Sequence, residues 1–393
     1  MRTKIGLIIV VLSGAFVAVV HWSSLSTAQE NSSEKKKEEP VQPRRPEPLI
    51  SPQIGSDGTI VFRLSAPNAK VVSLAGEIPG SPVALVKDEK GIWSAAIGPL
   101  TPELYSYSFI VDGLRVCDPA NAAVKPMRSP TSSVLEIAGS PPLLHDFQNV
   151  PHGTVHVHNY QSQATESRRR MHVYTPPGYE KSSEARFPTL YLFHGSGDND
   201  ACWTEFGRAN WILDNLIAQG KARPMILVMT DGHARPANTA GATASEGSNR
   251  NQVFEKDLLG DVMPFVESSY RVQADRLNRA IIGLSMGGGQ SLGVGLNHLE
   301  LFAWVGGMST ALRDPQAALP QFFADPSRSN AELRLLWVAC GRDDGLVVRA
   351  REFSDLLKEK GIRHEYVESA GGHAWGVWRK YLAQFAPLLF VEK

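Results

Sequence analysis

The chain has 393 residues, and its 40 basic and 40 acidic side chains give a formal net charge of zero. This length exceeds that of one typical domain and predicts two or three. The balanced charge argues against nucleic acid or an anionic membrane surface as the main partner. The 42% of hydrophobic residues is ordinary for a globular enzyme.

Residues 1–28 have the pattern of a secretory signal peptide. Arg2 and Lys4 form a basic start, residues 6–20 are mostly apolar, and residues 26–28 (Ser-Thr-Ala) fit the small-x-small cleavage pattern. An uncleaved membrane anchor is the alternative, although the apolar run is short for a membrane span. We therefore predict a secreted or periplasmic protein without membrane contact once the signal is cleaved.

Residues 29–48 are charged and rich in proline, so they are predicted to be a disordered linker. Residues 49–138 contain short alternating strands separated by Gly, Pro and Asn turns, which predicts a small immunoglobulin-like antiparallel β-sandwich. Residues 139–152 form a second predicted linker. The aromatic residues of the sandwich are expected in its core, with a sugar-stacking surface as the alternative; they are Trp93, Tyr105 and Tyr107.

Residues 153–393 alternate between apolar strands and helical patterns, which predicts a mostly parallel sheet with helices on both faces. Strands are predicted at 167–174, 189–193, 225–230, 280–284, 302–306, 335–340 and 364–368, and helices at 211–219, 254–268, 287–297, 347–360 and 375–387. Residues 231–252 are rich in small and polar residues and follow a predicted strand. We expect them to form one wall of a substrate cleft.

The motif Gly-x-Ser-x-Gly occupies residues 283–287, between an apolar run and a run of small residues. In the order strand, sharp turn and helix, this motif is the nucleophile elbow of the α/β-hydrolase fold. The glycines suit the elbow because the turn is strained and β-carbons beside the serine would clash. The motif therefore predicts that Ser285 is a nucleophile.

A serine nucleophile needs a histidine base oriented by a carboxylate, and in this fold the chain order is serine, acid, histidine. Asp343 and Asp344 follow one predicted strand, and His373 lies on a glycine-hinged loop after the next. Residues 194–197 (His-Gly-Ser-Gly) follow an earlier strand, where the fold takes its second oxyanion-hole amide. His194 is an alternative base, disfavoured because it precedes the nucleophile.

These motifs together resemble carbohydrate esterase family 1, which contains feruloyl esterases, acetylxylan esterases and esterase D-like enzymes. The matching phrases are residues 173–179 (VYTPPGY), 192–197 (LFHGSG) with Trp203, 283–288 (GLSMGG) and 371–373 (GGH). Residues 51–137 resemble the small sandwich, akin to carbohydrate-binding modules, that precedes many such esterases. The resemblance implies an exported serine esterase without a cofactor, acting on feruloyl or acetyl esters of plant or algal polysaccharide or oligosaccharide.

The resemblance also implies roles for particular residues. The family pattern places the acid after the glycine that follows the strand, with two variable residues between them, which selects Asp344 and leaves Asp343 as a solvated or loop-capping carboxylate. The oxyanion-hole amides then belong to Ser196 and Met286. The candidate substrate contacts are Trp203, His233 and Trp375.

Other functions remain open on the sequence: a siderophore (enterochelin-type) esterase, an acyltransferase of the same fold, or a non-catalytic carbohydrate-binding protein. Cys117 is expected to be a buried thiol, and so are Cys202 and Cys340, although a bridge between the last two stays open. No metal site is expected, because the histidines at 152, 156 and 158 are predicted to lie in a linker and have no cysteine or carboxylate at ligand spacing. Every catalytic motif lies beyond Pro151, so residues 151–393 are expected to act alone on small esters.

Overall fold

The structure is a computed structural model and describes residues 48–181, 183–236 and 247–391. From Pro48 onward the chain forms one compact unit. The predicted signal peptide lies outside the described residues, as do almost all of the first predicted linker and residues 237–246 of the predicted cleft wall.

The N-terminal strands form two antiparallel sheets, and we call these sheets with their shared core the sandwich. One sheet has the strand order β1-β2-β6-β5, and the other has the order β4-β3-β7-β8 with β9 also paired to β7. The strands are β1 Gln53–Ile54, β2 Ile60–Ser65, β3 Val72–Gly76, β4 Val83–Ala84, β5 Val86–Lys87, β6 Ile92–Ile97, β7 Glu103–Val111, β8 Leu114–Val116 and β9 Ser133–Ile137. The predicted antiparallel segment is therefore confirmed.

The aromatic residues of the sandwich lie in its interior. Trp93, Tyr105 and Tyr107 are 7%, 9% and 0% exposed, and all three belong to the hydrophobic cluster between the two sheets. The Tyr107 hydroxyl donates to the buried Asp118 carboxylate at 2.9 Å, which satisfies its polar end. The core prediction is confirmed for these residues, and the alternative of a sugar-stacking surface is wrong for them.

The remaining strands form one eight-stranded sheet in the order β10-β11-β13-β12-β14-β15-β16-β17. Strands β10, β11 and β13 pair antiparallel, and every pair from β13 to β17 is parallel. The strands are β10 Thr154–Ser162, β11 Ser167–Thr175, β12 Thr189–Phe193, β13 Ile226–Thr230, β14 Arg279–Gly283, β15 Trp304–Met308, β16 Leu335–Gly341 and β17 Glu365–Ser369. A mostly parallel sheet is thus confirmed.

Helices cover both faces of this sheet. They are α1 Cys202–Glu205, α2 Ala209–Ala218, α3 Gly247–Asp257, α4 Met263–Ser269, α5 Met286–Asn297, α6 Pro315–Ala318, α7 Pro320–Ala324, α8 Pro326–Glu332, α9 Val347–Glu359 and α10 Trp375–Phe385. A π-helical turn, Leu258–Val262, joins α3 to α4. Short 3₁₀ turns occur at Tyr179–Lys181, Arg276–Asn278 and Ala386–Leu388.

The central strands are apolar at nearly every position because both of their faces are buried. In β16, Leu335, Trp337 and Ala339 belong to the hydrophobic cluster on one face, whereas Leu336 and Val338 belong to the cluster on the other. This split follows from the two-residue repeat of a strand. It explains why these segments read as continuous apolar runs.

One strand of the large sheet was not recognised from the sequence. Residues 154–162 form the edge strand β10, and His156 and His158 lie on it. Burial alternates regularly from His156 to Ser162, but the less exposed positions carry His156, His158, Tyr160 and Ser162, so the sequence shows no apolar alternation. The prediction that these histidines bind no metal relied partly on placing them in a linker, and that placement is wrong.

The sandwich packs on the α/β part of the chain through a buried charged contact. Arg379 of α10 has a side chain only 2% exposed, and its guanidinium donates to Glu103 Oε1 of β7 at 2.8 Å. His145 Nε2 lies 3.0 Å from the same oxygen. Burial alone would raise the pKa of Glu103, but the hydrogen bond with His145 and the charge of Arg379 lower it to about 2.

Within the ranges 48–181, 183–236 and 247–391, none of the helices is both long enough and apolar enough to cross a membrane.

The buried contact of Glu103 predicts a pH-dependent loss of stability. We expect Glu103→Gln to lower the free energy of unfolding by on the order of 3 kcal/mol at neutral pH, because it removes the carboxylate that pairs with the buried charge of Arg379. The folded-state pKa lies below the ordinary value of 4.5, so the carboxylate stabilises the fold above that pH and its contribution is lost as pH falls towards about 2. Urea unfolding of both proteins at several pH values measures the difference.

Glu136→Gln is the matched control for this experiment, because Glu136 pairs with Arg208 at a site where its own side chain is 49% exposed. An exposed pair contributes roughly 1 kcal/mol or less. Two results would contradict the prediction. One is a loss in free energy of unfolding for Glu103→Gln that is as small as that of the control. The other is a loss that grows as the pH falls from 4.5.

Candidate active site

Ser285 occupies a strained turn between β14 and α5. Its backbone has φ 53° and ψ −115°, a left-handed conformation that is rare for a residue other than glycine. The Ser285 N–H donates to the carbonyl oxygen of Met308 at 2.8 Å, which ties the turn to the neighbouring strand β15. The serine side chain therefore lies at the carboxyl edge of the parallel strands.

The two motif glycines are required by the close approach of backbone segments. A β-carbon on Gly283 would lie 2.4 Å from the carbonyl carbon of Gly287. A β-carbon on Gly287 would lie 2.4 Å from the carbonyl oxygen of His194, at the end of β12. Real β-carbon contacts are never that short, so any other residue would force α5 away from the sheet.

Ser285, His373 and Asp344 form one hydrogen-bonded chain. The His373 Nε2 atom lies 3.0 Å from Ser285 Oγ, and His373 Nδ1 lies 2.9 Å from Asp344 Oδ2. The Asp344 side chain is only 1% exposed, whereas that of His373 is 39% exposed. The Trp378 ring contacts the imidazole edge to face at 4.9 Å between ring centroids. The carboxylate is thus buried and the base faces solvent.

The structure separates the two neighbouring acids. Asp344 also accepts the backbone N–H of Leu346 at 2.9 Å, so both of its oxygens have partners. Asp343 is exposed, and its carboxylate accepts the backbone N–H of Gly371 at 3.1 Å. Asp343 therefore caps the loop that carries His373 without contacting the imidazole.

The loop after β12 approaches Ser285 from the other side. Residues 195–198 form a tight turn in which Asp198 N–H donates to Gly195 O at 3.3 Å and Gly197 has φ 91°. A β-carbon on Gly195 would lie only 3.3 Å from Ser285 Cβ, so the Ser196 amide that follows is next to the serine. The Met286 amide is in the first turn of α5, where backbone N–H groups have no partner within the helix.

His194 is engaged by the backbone and by its neighbour Asp231. Its Nε2 atom accepts the Gly232 N–H at 2.9 Å and lies 3.3 Å from Asp231 Oδ1, and its Nδ1 atom lies 2.8 Å from Gly195 O. Neither ring nitrogen is left for Ser285. The alternative of His194 as the base is therefore wrong in this structure, and the residue instead fixes the shape of its own loop.

Two of the candidate substrate contacts require correction. Trp203 and Trp375 are each only 1% exposed, and their rings pack edge to face at 4.9 Å in the hydrophobic core. The Trp203 Nε1–H donates to the carbonyl oxygen of Phe193 at 3.0 Å. Both indoles are structural, because a substrate cannot reach side chains that are completely covered. The sequence could not distinguish a tryptophan near the site from one beneath it.

His233 remains a candidate substrate contact. It is half-buried, and its ring lies 5.4 Å from that of His194. Burial lowers the pKa of His233 to about 4, so its imidazole is neutral near pH 7. Its Nε2 atom is buried and accepts or donates no hydrogen bond within the described part of the chain.

A set of contacts from the sandwich to the loop at 195–198 was missed in the sequence. Arg128 N–H donates to Gly197 O at 2.9 Å, and the Asn199 side-chain amide donates to Met127 O at 3.2 Å. Lys125 Nζ lies 3.1 Å from Asp198 Oδ1. Residues about 70 positions apart make these contacts, and no local sequence pattern in either segment predicts them.

The cysteines and the metal candidates play no part in this site. Cys117 is half-buried, Cys202 and Cys340 are buried, and all three are free thiols. The predicted buried thiols are confirmed for Cys202 and Cys340, the prediction of burial is wrong for Cys117, and the alternative bridge between Cys202 and Cys340 is absent. Among the described residues, no group of three His, Cys, Asp or Glu side chains could bind a metal ion.

The sheet order and the serine elbow with its histidine and acid at successive strand ends are those of the α/β-hydrolase fold. A family model described as "Putative esterase" matches residues 162–389. The chain therefore belongs to this esterase family, and with it to the carboxylic ester hydrolases. The predicted resemblance is confirmed at this level.

Relatives of known name support the same class. The chain is 30% identical over 345 residues to an endo-1,4-beta-xylanase/feruloyl esterase of Xylanibacter ruminicola, covering 86% of this chain and 46% of that protein. It is 25% identical over 227 residues to an acetyl esterase of Caldicellulosiruptor saccharolyticus, covering 50% of this chain and 80% of that protein. The chain thus spans about half the length of the xylanase/feruloyl esterase that it matches.

Solved structures share the fold. A ferulic acid esterase with 28% identity superposes with a TM-score of 0.51, covering 61% of this chain and 97% of its own. An enterochelin esterase from Shigella flexneri with 16% identity has a TM-score of 0.58 and covers 84% of this chain and 91% of its own. The second match is evidence of fold alone.

The two acids give a direct test of the site geometry. Asp344→Asn should lower the turnover of a small ester by about three to four orders of magnitude, because an amide at this position favours the wrong tautomer of His373. Asp343→Asn should change turnover only a few-fold, since an amide oxygen can still accept the Gly371 N–H. The turnover of p-nitrophenyl acetate is measured for both folded variants. A larger loss of turnover in Asp343→Asn than in Asp344→Asn would reverse the assignment.

Proposed function

We propose that this protein is an exported serine esterase that cleaves feruloyl or acetyl esters from plant or algal polysaccharide by a Ser-His-Asp acyl-enzyme mechanism. The observation that carries the proposal is the hydrogen-bonded chain of Ser285, His373 and Asp344 on a strained elbow. The 30% identity to a xylanase/feruloyl esterase supports the substrate class. That relative matches 86% of this chain, whereas residues 153–393 make up less than two thirds of it, so the match extends into the sandwich.

In the first step Ser285 attacks the ester. Its Oγ forms a bond to the carbonyl carbon while His373 Nε2, 3.0 Å away, takes the hydroxyl proton. The carbonyl electron pair moves onto the oxygen, which becomes a tetrahedral oxyanion. Asp344 stabilises the imidazolium across its 2.9 Å contact with Nδ1 and keeps Nε2 directed at the serine.

The backbone amides of Ser196 and Met286 are positioned for the oxyanion. The Ser196 amide follows Gly195, which packs against Ser285, and the Met286 amide directly follows the nucleophile. The free first turn of α5 adds the positive end of a helix dipole. Such donors stabilise the transition state more than the substrate and therefore raise kcat.

Release of the alcohol and hydrolysis of the acyl-enzyme complete the cycle. The tetrahedral intermediate collapses, the bond to the leaving oxygen breaks, and His373 returns its proton to the alcohol. A water molecule then attacks acyl-Ser285 and gives a proton to His373. Collapse of the second intermediate frees the carboxylic acid and returns the proton to Ser285 Oγ. The exposed face of His373 gives this water access.

A siderophore ester of the enterochelin type is the second candidate substrate. The Shigella flexneri enterochelin esterase covers 84% of this chain, so its match extends into the sandwich as well. The sandwich therefore does not separate polysaccharide from siderophore substrates. The relative with higher sequence identity favours the polysaccharide esters.

A substrate panel with an inactive variant tests the proposal. We expect wild-type protein to hydrolyse p-nitrophenyl acetate, methyl ferulate and acetylated xylan, and to be slow on a triscatecholate siderophore. Ser285→Ala should lower turnover by at least about 10³-fold without changing the melting temperature, because the serine supplies chemistry and little core volume. Ser183→Ala, at an exposed serine, is the matched control. Faster hydrolysis of the siderophore than of the other substrates would favour the second candidate, and residual turnover in Ser285→Ala above a few per cent would contradict the mechanism.

The proposal of export rests on the basic start and apolar run of residues 1–28. We expect protein purified from the medium or periplasm to begin near Gln29, because signal peptidase cleaves after small residues. N-terminal sequencing measures this. A mature chain that retains residues 1–28 and sediments with membranes would favour the anchor instead.

A further inference from the structure

Lys125 belongs to the sandwich but extends its ammonium group into the α/β part. It lies between β8 and β9, and its side chain is only 11% exposed. The Nζ atom lies 3.1 Å from Asp198 Oδ1, and it lies over the rings of Phe206 and Trp375 at 5.1 and 5.6 Å from their centroids. A lysine is rarely buried unless its charge is paired, and here a carboxylate and two aromatic faces provide that pairing.

The backbone next to Lys125 pairs with the same loop. Met127 and Asp198 form an antiparallel bridge, and Arg128 N–H donates to Gly197 O at 2.9 Å. The Asn199 side-chain amide adds a hydrogen bond to Met127 O. The segment at 125–128 therefore covers the outer side of the turn at 195–198 like a short additional strand.

Few interactions within this turn stabilise its conformation. Its own closing hydrogen bond, from Asp198 N–H to Gly195 O, is 3.3 Å long, and two of its four residues are glycines. Glycine populates many backbone conformations, so such a turn is poorly fixed unless its surroundings select one of them. Besides the backbone contacts with Met127 and Arg128, the buried side chain of Asp198 attaches the turn to the sandwich by pairing with Lys125.

We propose that Lys125 is a positioning residue for ester hydrolysis: by pairing with Asp198 it fixes the turn whose Ser196 amide faces the oxyanion. The inference rests on the proposed function of this site. An oxyanion-hole donor contributes only if it is preorganised, and an error of about 1 Å in its position can cost about a hundredfold in rate. The sandwich is thereby part of the active site, and residues 151–393 alone lack this support.

Kinetics of Lys125 variants test the inference. We expect Lys125→Met to lower kcat on p-nitrophenyl acetate on the order of tenfold to a hundredfold, with KM within about twofold, because the lost interaction belongs to the transition state. Affinity for phenylboronic acid, which forms a tetrahedral adduct on the serine, should fall by a similar factor. Lys125→Arg keeps the positive charge and should restore most of the rate. Rates are expressed per active site titrated to completion with a fluorophosphonate, so misfolded protein is not counted.

Two further proteins separate positioning from folding. Lys90→Met removes an exposed lysine of the same sandwich and should leave kcat unchanged. Lys125→Met combined with Asp198→Asn removes both charges, so no unpaired carboxylate is left to unfold the protein. Its kcat should stay as low as that of Lys125→Met, because the anchor of the turn is still missing.

The outcomes distinguish this inference from the proposed function. A wild-type kcat in folded Lys125→Met or in the double variant, or a change confined to KM, would overturn the role of Lys125 while ester hydrolysis stands. Boronate affinity that stays at the wild-type level while kcat falls would also overturn it. Wild-type protein without Ser285-dependent hydrolysis of any ester would instead contradict the proposed function.

Discussion

The geometry of the site depends on backbone packing at one point, where α5 begins against the end of β12. No side chain fits between Gly287 and the His194 carbonyl, and none fits between Gly283 and Gly287. The contact sets the distance between the elbow and the loop that follows β12, so Gly195 packs against Ser285. The rare backbone conformation of Ser285 is a result of this packing, and the hydrogen bond to Met308 keeps it in place.

Buried charges connect the sandwich to both loops of the site. Lys125 reaches the loop that carries Ser196, and Glu77 accepts the backbone N–H of Trp375, two residues after His373, at 3.2 Å. Leu104 of β7 belongs to the same hydrophobic cluster as the indoles beneath the site. An isolated sandwich would expose these groups, so its packing on the α/β part is built into its sequence. A module attached only by a flexible linker would not bury a lysine against the neighbouring domain.

The parts that the sequence predicted are those encoded by neighbouring residues. Each predicted motif occupies a few consecutive residues at the end of an apolar strand: the elbow, the loop after β12 and the glycine-hinged histidine. The structure brings Ser285, Asp344 and His373 within hydrogen-bonding distance. The capping role of Asp343 was also anticipated. Apolar runs identified the central strands because both faces of the sheet are buried.

The parts that the sequence did not predict depend on contacts between distant segments. Trp203 and Trp375 lie near the motifs in sequence, but the sheet places their indoles in its core. The edge strand Thr154–Ser162 lacks an apolar alternation, since its less exposed face carries mostly polar and histidine side chains. The pairing of Lys125 with Asp198 has no sequence signature, because a single lysine between predicted strands is typical of an exposed surface.

The link between Glu103 and Arg379 has a consequence for the order in which the protein is assembled. The two residues are 276 positions apart, and Glu77 precedes Trp375 by 298. On the ribosome, the sandwich therefore emerges long before the helix that neutralises its inner surface is made. That surface must remain hydrated until α10 has been made, and α10 then completes the packing. A nascent chain released before α10 would carry the whole sandwich and the serine elbow, yet Glu77 and Glu103 would still be open to water.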